Sequence, residues 1–397
     1  MICQITKKQL VYFCLITVCI SFMPTNGEHN FANQTIETRA VWLNDYAFNS
    51  DNIRNDTINK IRTANLNTVF LIAPPIGGNK GWSDPNDFAV MLDVLSADGL
   101  SVHAWIANLY RLKGVAADFT NETEQIQQIS WVKQLLTTYP KLDGIHFDYI
   151  RSKELETVNS TQMNAISDLI GQAKVEISNL FPDKFLTTAG WPLSGEIRAS
   201  EDQLPQWYID WFNEYETDSV NRWNKAGYNH DGYPTCFGVQ QDPVDWIANE
   251  QLDYHISMEY CFDTDWWKGE VDIWNTFPEE VVEQTFMGLG WYSGVWQEET
   301  ITQEQVATEI VNKIRYGRLN NISGFSIFEL NEPENNDSLL IDALSGDSTA
   351  PFYTEATSAF KATIKDNGNL PNYTLIILIA IIGGFSAAIA LASKRRK

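Results

Sequence analysis

Four carboxylates and a group of aromatic rings stand where short apolar runs of this chain end. His146-Phe147-Asp148-Tyr149-Ile150-Arg151 closes one run, Phe328-Glu329-Leu330 a second, and Met258-Glu259-Tyr260, with Asp263 just beyond, a third. Side chains of an extended chain alternate between two faces, so His146 and Asp148 share one face and Phe147 and Tyr149 the other. With Gly144, His146 and Asp148 turned to the interior, Asp148 reaches the open end of its strand. A carboxylate there, beside His146 and Arg151, suits a nucleophile, an acid or a base; a structural ion pair is the other use of the same residues. Glu329, Asp263 and Glu259 are the candidates for its partner, and a solvated rim charge is the alternative for each. The alternation that turns Met258 and Tyr260 inward turns Glu259 away, unless the strand end bends.

Rings crowd the same places: Trp105, Trp191, Trp291, Tyr292 and Tyr260, with Trp266-Trp267 just beyond. A flat apolar face with a polar edge suits a sugar ring, although any single tryptophan is more simply explained by core packing. Paired carboxyls among such rings fit hydrolysis of a glycosidic bond. One carboxyl protonates the leaving oxygen and the other acts as nucleophile or as base toward water. Other hydrolytic chemistries find less support. The chain has no G-x-S-x-G elbow, none of its five histidines stands at H-E-x-x-H spacing, and no G-x-x-x-x-G-K phosphate loop occurs. The expected chemistry needs no cofactor and no metal.

The elements that position these residues follow from the rhythm of the chain. Eight apolar runs rich in β-branched or aromatic residues lie at 39–44, 67–75, 101–110, 142–151, 184–192, 252–261, 285–292 and 322–331. Stretches with helical apolar spacing lie between them, at 51–64, 88–97, 124–138, 162–180 and 302–316. Strand–helix alternation implies a parallel sheet, and eight units over about 300 residues match an α/β (β/α)8 TIM barrel. An open doubly wound sheet is the alternative, disfavoured because no glycine-rich turn follows the first strand. In such a barrel the functional groups belong at the C-terminal ends of the strands. The long connection from Pro192 to Asp253 leaves that same face, after strand five, and is expected to wall the cleft.

Net charge and the chain ends speak to location. The 397 residues carry 28 Lys and Arg against 51 Asp and Glu, a net charge of −23, which argues against nucleic acid as a partner. Residues 1–27 read as a signal peptide, with Lys7 and Lys8 before an apolar stretch. Residues 28–344 form the barrel domain, and the polar segment 345–372 reads as a stalk. Residues 373–392 are uncharged over a span that matches the hydrocarbon core, and the basic tail 393–397 follows. The expectation is a single-pass, type I protein at the cell membrane, with its body outside and its C-terminal helix in lipid. Only Cys236 and Cys261 remain in the body. They could form one disulfide or stay as two thiols.

Taken in order, RAVWL at strand one, VHAWIANLYR at strand three and LDGIHFDYIR at strand four resemble the glycosyl hydrolase-like 10 family of exported barrel proteins. The likeness continues through DPVDWIANEQLDYHISMEY (242–260), GLGWYSG (288–294) and GFSIFE (324–329), and covers roughly residues 36–340. The resemblance implies a barrel that acts on a polysaccharide, with Asp148 as the leading catalytic residue. It also implies that His103, Asn108, His146, Arg151, Met258 and Tyr260 line the site. The family often has a second acidic residue directly after the strand-four aspartate. Tyr149 stands there in this chain, so a paired carboxylate must come from elsewhere. The other reading of the whole is a barrel that binds carbohydrate without cutting it.

Overall fold

The computed structural model describes residues 36–78, 80–109, 116–152, 158–193, 205–210, 235–297 and 301–362. Eight parallel strands close on themselves in sequence order: β1 Thr38–Leu43, β2 Thr68–Ile72, β3 Ser101–Ala107, β4 Gly144–Asp148, β5 Phe185–Gly190, β6 Tyr254–Ser257, β7 Thr285–Gly290 and β8 Gly324–Phe328. Pairing of Thr38 with Gly324 and of Val41 with Ile327 shuts the ring between β1 and β8. The strands are buried on both faces, which is why they read as continuous apolar runs rather than as alternating ones. The expected (β/α)8 barrel is therefore the fold.

Three helices, Pro85–Ala97, Glu122–Thr138 and Ser160–Leu180, begin two or three residues earlier than apolar spacing alone suggests, because polar caps extend them. The side chain of Asp84 accepts from Asn86 N and Asp87 N ahead of the helix Pro85–Ala97. Asn121 and Asn159 cap the helices Glu122–Thr138 and Ser160–Leu180 in the same way. Thr302 and Gln305 form a reciprocal capping box at Gln303–Leu319. Each cap satisfies amide donors that the helix itself leaves free.

The barrel interior is layered. At its N-terminal end lies a floor that the sequence does not announce. Within the segment expected to be a stalk, Phe352 and Phe360 are fully buried. The Phe360 ring sits 4.3 Å from His103, 5.2 Å from Phe185, 5.0 Å from Tyr254 and 6.1 Å from Phe286. Lys361 Nζ reaches Asp143 at 2.6 Å, and Ser358 bonds Thr68 at 2.8 Å. Residues 351–362 thus plug the barrel. Phe360 fills the hole while Phe352 packs against Arg39, so average composition hides the packing.

Above the floor, Phe70 stacks on His146 at 4.0 Å. Trp42 Nε1 donates to His146 Nε2 at 3.1 Å, which makes that nitrogen the acceptor and leaves Nδ1 to bond Thr187 Oγ1 at 2.9 Å. Burial holds His146 well below the usual histidine range, so it is a neutral packing element.

Cys236 and Cys261 are both free thiols. Among the described residues no helix is long and apolar enough to cross a membrane. The expected leader 1–27, span 373–392 and tail 393–397 lie outside the described residues, as do 363–372 of the expected stalk and most of the connection after β5.

Candidate active site

A cavity of about 1030 Å³ opens at the C-terminal end of the strands. Its lining includes Trp105 from β3, Asp148 at the end of β4, Tyr149 and Arg151 just beyond it, and Trp191 after β5. Met258, Glu259 and Tyr260 after β6, Tyr292 after β7 and Phe328 at the end of β8 complete the ring. Strand ends on every side of a closed barrel thus converge on one space, as the fold requires.

Asp148 is buried and both its oxygens hold donors: Trp105 Nε1 at 2.9 Å and the amide of Tyr149 at 2.6 Å. Burial lifts its pKa to about 6, while those two donors and the charge of Arg151 pull the other way. Glu329 stands one residue beyond β8 and just behind the lining. It accepts from Asn44 Nδ2 and from the Tyr46 hydroxyl, both just past the end of β1. Burial raises its pKa to about 7, and Glu332 and Asp337 add to the rise. β4 and β8 lie on opposite arcs of the ring. Asp148 and Glu329 nonetheless both act on one phenol: Tyr260 is pushed far above its usual range, first by burial and then by each of these carboxyls. Tyr260 stacks on Phe328 at 5.3 Å and meets Tyr292 edge-on at 6.0 Å, so two aromatic neighbours hold the ring.

Glu259 reaches the cavity because the strand end does bend. β6 stops at Ser257, and the amide of Glu259 turns back onto the Ser257 carbonyl at 2.9 Å. Burial and the nearby Glu270 push its pKa up to about 8, opposed by Cys261 and Lys313. Oε2 of Glu259 is buried with no hydrogen-bond partner. The structure does not bring Asp263 to this space. Its Oδ1 caps the helix Thr264–Trp274, accepting from Asp265 N at 2.8 Å and Trp266 N at 3.0 Å, and the residue borders a separate surface depression.

Among the expected binding residues, Trp105, Arg151, Trp191, Met258, Tyr260 and Tyr292 line the cavity. Four do not. His103 lies near the floor against Phe360, its pKa lowered to about 3 by burial and by Lys361 and Lys184. His146 sits in the layer below the mouth. Asn108 is fully buried, its side chain against Gln128 at 2.8 Å. Trp291 is fully buried, donating from Nε1 to Asp337 at 2.9 Å. The parity that faces His146 and Asp148 inward is correct, but His146 lies one layer deeper than Asp148, covered by Trp42 and Phe70.

Sequence reasoning missed Asn44 and Tyr46, which hold Glu329, and Lys80 and Trp82 in the loop after β2. Asn44 directly follows an apolar run, so the strand-end rule that singled out Asp148 also applied to it. Trp82 reaches the cavity through a tight return in which its amide bonds the Ala73 carbonyl at 2.9 Å. Gly81 makes that return possible. Its φ is +37°, and a Cβ there would lie 2.0 Å from Pro75 N. No group of three or more His, Cys, Asp or Glu suited to a metal ion occurs among the described residues.

No protein-family model matches the chain, and no curated protein does. Solved structures with a similar course of the chain include a chitinase from Rhizomucor miehei, 13% identical, covering 76% of this chain and 98% of that one, TM-score 0.47. A spore cortex-lytic enzyme of Bacillus cereus is 12% identical over 78% of this chain and 74% of that one, TM-score 0.48. An endo-1,4-beta-D-mannanase from Thermotoga petrophila is 9% identical over 75% and 88%, TM-score 0.47. Likeness this distant carries nothing about the chemistry of this chain, which has to be read from the cavity.

Proposed function

We propose that this protein is a glycoside hydrolase that cleaves O-glycosidic bonds of an extracellular or envelope polysaccharide. It would work from the outer face of a membrane that its C-terminal helix spans. The observation that supports the reading is a buried Asp148 in a cavity rimmed by Trp105, Trp191, Trp82 and Tyr292, with a second buried carboxyl, Glu329, held by Asn44 of the same lining. Two buried carboxyls raised toward neutral pH, one to hold a proton and one to accept or to attack, are what acid–base cleavage needs.

The environments suggest the roles. Asp148 has a donor on each oxygen, which favours its anion and fixes its direction. It serves as nucleophile or as base. Glu329 keeps its proton to about pH 7 and serves as the acid that protonates the leaving oxygen. The aromatic rim would hold sugar rings by their apolar faces. Activity falls on the acid side as Asp148 gains a proton near pH 6, and on the alkaline side as Glu329 loses one near pH 7. The motif likeness to the glycosyl hydrolase-like 10 family points to the same chemistry. Cell-surface placement rests on the sequence of the two chain ends.

The test is release of reducing ends by the full-length protein and its Asp148→Asn variant. The substrates are peptidoglycan strands, poly-N-acetylglucosamine, and α- and β-glucans, with acidic glycans added to the panel. Release by the wild type and not by the variant supports the reading. Equal release by both removes Asp148 from the chemistry. Retained binding with no release on any glycan would make this a carbohydrate-binding barrel.

A further inference from the structure

The cavity has two chemically different walls. Lys80 and Arg151 line it from the loops after β2 and β4. Glu259 lines it from the β6 side, and Glu329 stands behind the β8 side, on the opposite arc of the ring. Each cation is set against aromatic faces that line the same space. Lys80 Nζ lies 3.6 Å from the centre of the Trp82 ring. Arg151 Cζ lies 5.1 Å from the Tyr149 ring and 5.1 Å from the Trp191 ring. A cation over an aromatic face is attracted to it and loses freedom, so both charges are held at the height where the rings would meet a sugar.

Charge placement makes this wall unusual for the molecule. The chain has 51 acidic residues against 28 basic ones, yet the described part of the cavity lining carries two cations and two carboxyls. Those carboxyls, Asp148 and Glu259, are shifted by burial toward their neutral forms, to about 6 and about 8. Near neutral pH the described lining therefore does not share the negative sign of the whole protein. The planar guanidinium of Arg151 matches the paired oxygens of a carboxylate or a sulfate, and Lys80 supplies a second point charge. Long-range repulsion from the acidic surface is screened beyond about 8–10 Å at physiological salt, whereas direct contact inside the cavity is screened much less.

We propose that the cavity selects a glycan carrying an anionic substituent, a carboxylate or a sulfate ester, seated against Lys80 and Arg151. This deepens the glycosidase reading and rests on it for the identity of the ligand as a sugar. Binding to the full-length protein by titration calorimetry tests it, with tetragalacturonate, a κ-carrageenan tetrasaccharide and cellotetraose as the carboxylated, sulfated and neutral probes. The expected result is a preference of at least about tenfold for one charged probe over cellotetraose, about 1.4 kcal/mol. Which charged probe wins distinguishes carboxylate from sulfate. Lys80→Met and Arg151→Met should each collapse that preference, and Arg151→Lys should restore part of it by returning the charge without the fork. Melting temperatures of the variants separate lost recognition from lost folding.

Equal binding of charged and neutral probes overturns the proposal, as does a preference that survives both methionine variants, or no binding of any probe. The glycosidase reading fails separately. Preferential binding of an acidic probe with no reducing ends released from any glycan would keep the anion wall and remove the hydrolase. Cleavage of neutral glycans without a charge preference would do the reverse.

Discussion

Both ends of the barrel bury carboxylates, and they hold them in opposite ways. At the floor, Glu37 accepts from Arg39 Nε at 2.7 Å and from Arg318 Nε at 2.6 Å, and Asp143 accepts from Lys361 Nζ at 2.6 Å. These acids are matched by cations. At the mouth, Asp148 and Glu329 are held by an indole N–H, a backbone amide, a carboxamide and a phenol. Neutral donors orient a carboxyl without cancelling the cost of burying its charge, so the mouth acids titrate near neutral pH. The floor is built to persist and the mouth to exchange protons, within one continuous barrel interior.

The comparison breaks most visibly if equivalent substitutions at the two ends behave alike. Asp148→Asn and Glu329→Gln should each cost about 10²–10⁴ in kcat, the usual range for a positioned acid or base. Neither should lower the melting temperature appreciably, because each removes a buried ionisable group. Asp143→Asn at the floor should leave kcat in place and lower stability by about 1–3 kcal/mol, since Lys361 and the Val102 amide lose their anionic acceptor. Steady-state kinetics beside thermal melts read both ends at once.

Next in size is the plug. Phe360→Ala opens a hole among His103, Phe185, Tyr254 and Phe286 and should cost about 3–5 kcal/mol in chemical denaturation. The pH dependence of the surviving activity should not move. A shifted profile would mean that floor and mouth are coupled after all.

The uneven legibility of the chain follows from the same contrast. The barrel could be read because eight runs buried on both faces leave a strong local signal, and strand-end placement drew attention to Asp148 and Glu329. The floor could not, because Phe352 and Phe360 are isolated apolar residues in a polar stretch and their partners, from Phe286 back to His103 and Arg39, are scattered along the chain. His103, His146 and Trp291 match motif positions yet lie below or beside the mouth. Alternation gives the face of a side chain, while barrel tilt and strand length set its depth. Asp263 looked catalytic because an acid one turn past a strand and a helix cap have the same local sequence. Glu259 reached the cavity by a backbone turn that alternation does not contain.

Two smaller effects sharpen the account of the mouth. Glu259 has a folded-state pKa of about 8, above its unfolded value, so the fold favours its protonated form. Its contribution to stability is complete at pH values below the unfolded pKa and is lost as pH rises through about 8. Glu259→Gln cannot ionise, so its stability relative to the wild type should rise from about pH 4.5 to about pH 8 and level off above, measured by urea midpoints. An unchanged difference across that range would place Glu259 in a more polar setting than its burial implies. The smallest effect concerns Tyr46, whose hydrogen bond lowers the proton affinity of Glu329. Tyr46→Phe should move the alkaline limb of activity upward by about 0.5–1 pH unit, the worth of one hydrogen bond of about 1 kcal/mol. Trp105→Phe should move the acid limb upward for the same reason, by loss of a donor to Asp148.

The most direct measurement is kcat/KM for reducing-end release from pH 4 to pH 9, on the best glycan of the panel, for the wild type and Glu329→Gln. A bell with limbs near pH 6 and pH 7 is expected for the wild type. The alkaline limb should vanish in the variant while the acid limb remains. A flat wild-type profile, or an alkaline limb that survives Glu329→Gln, would contradict the assignment of Asp148 and Glu329 as the working pair.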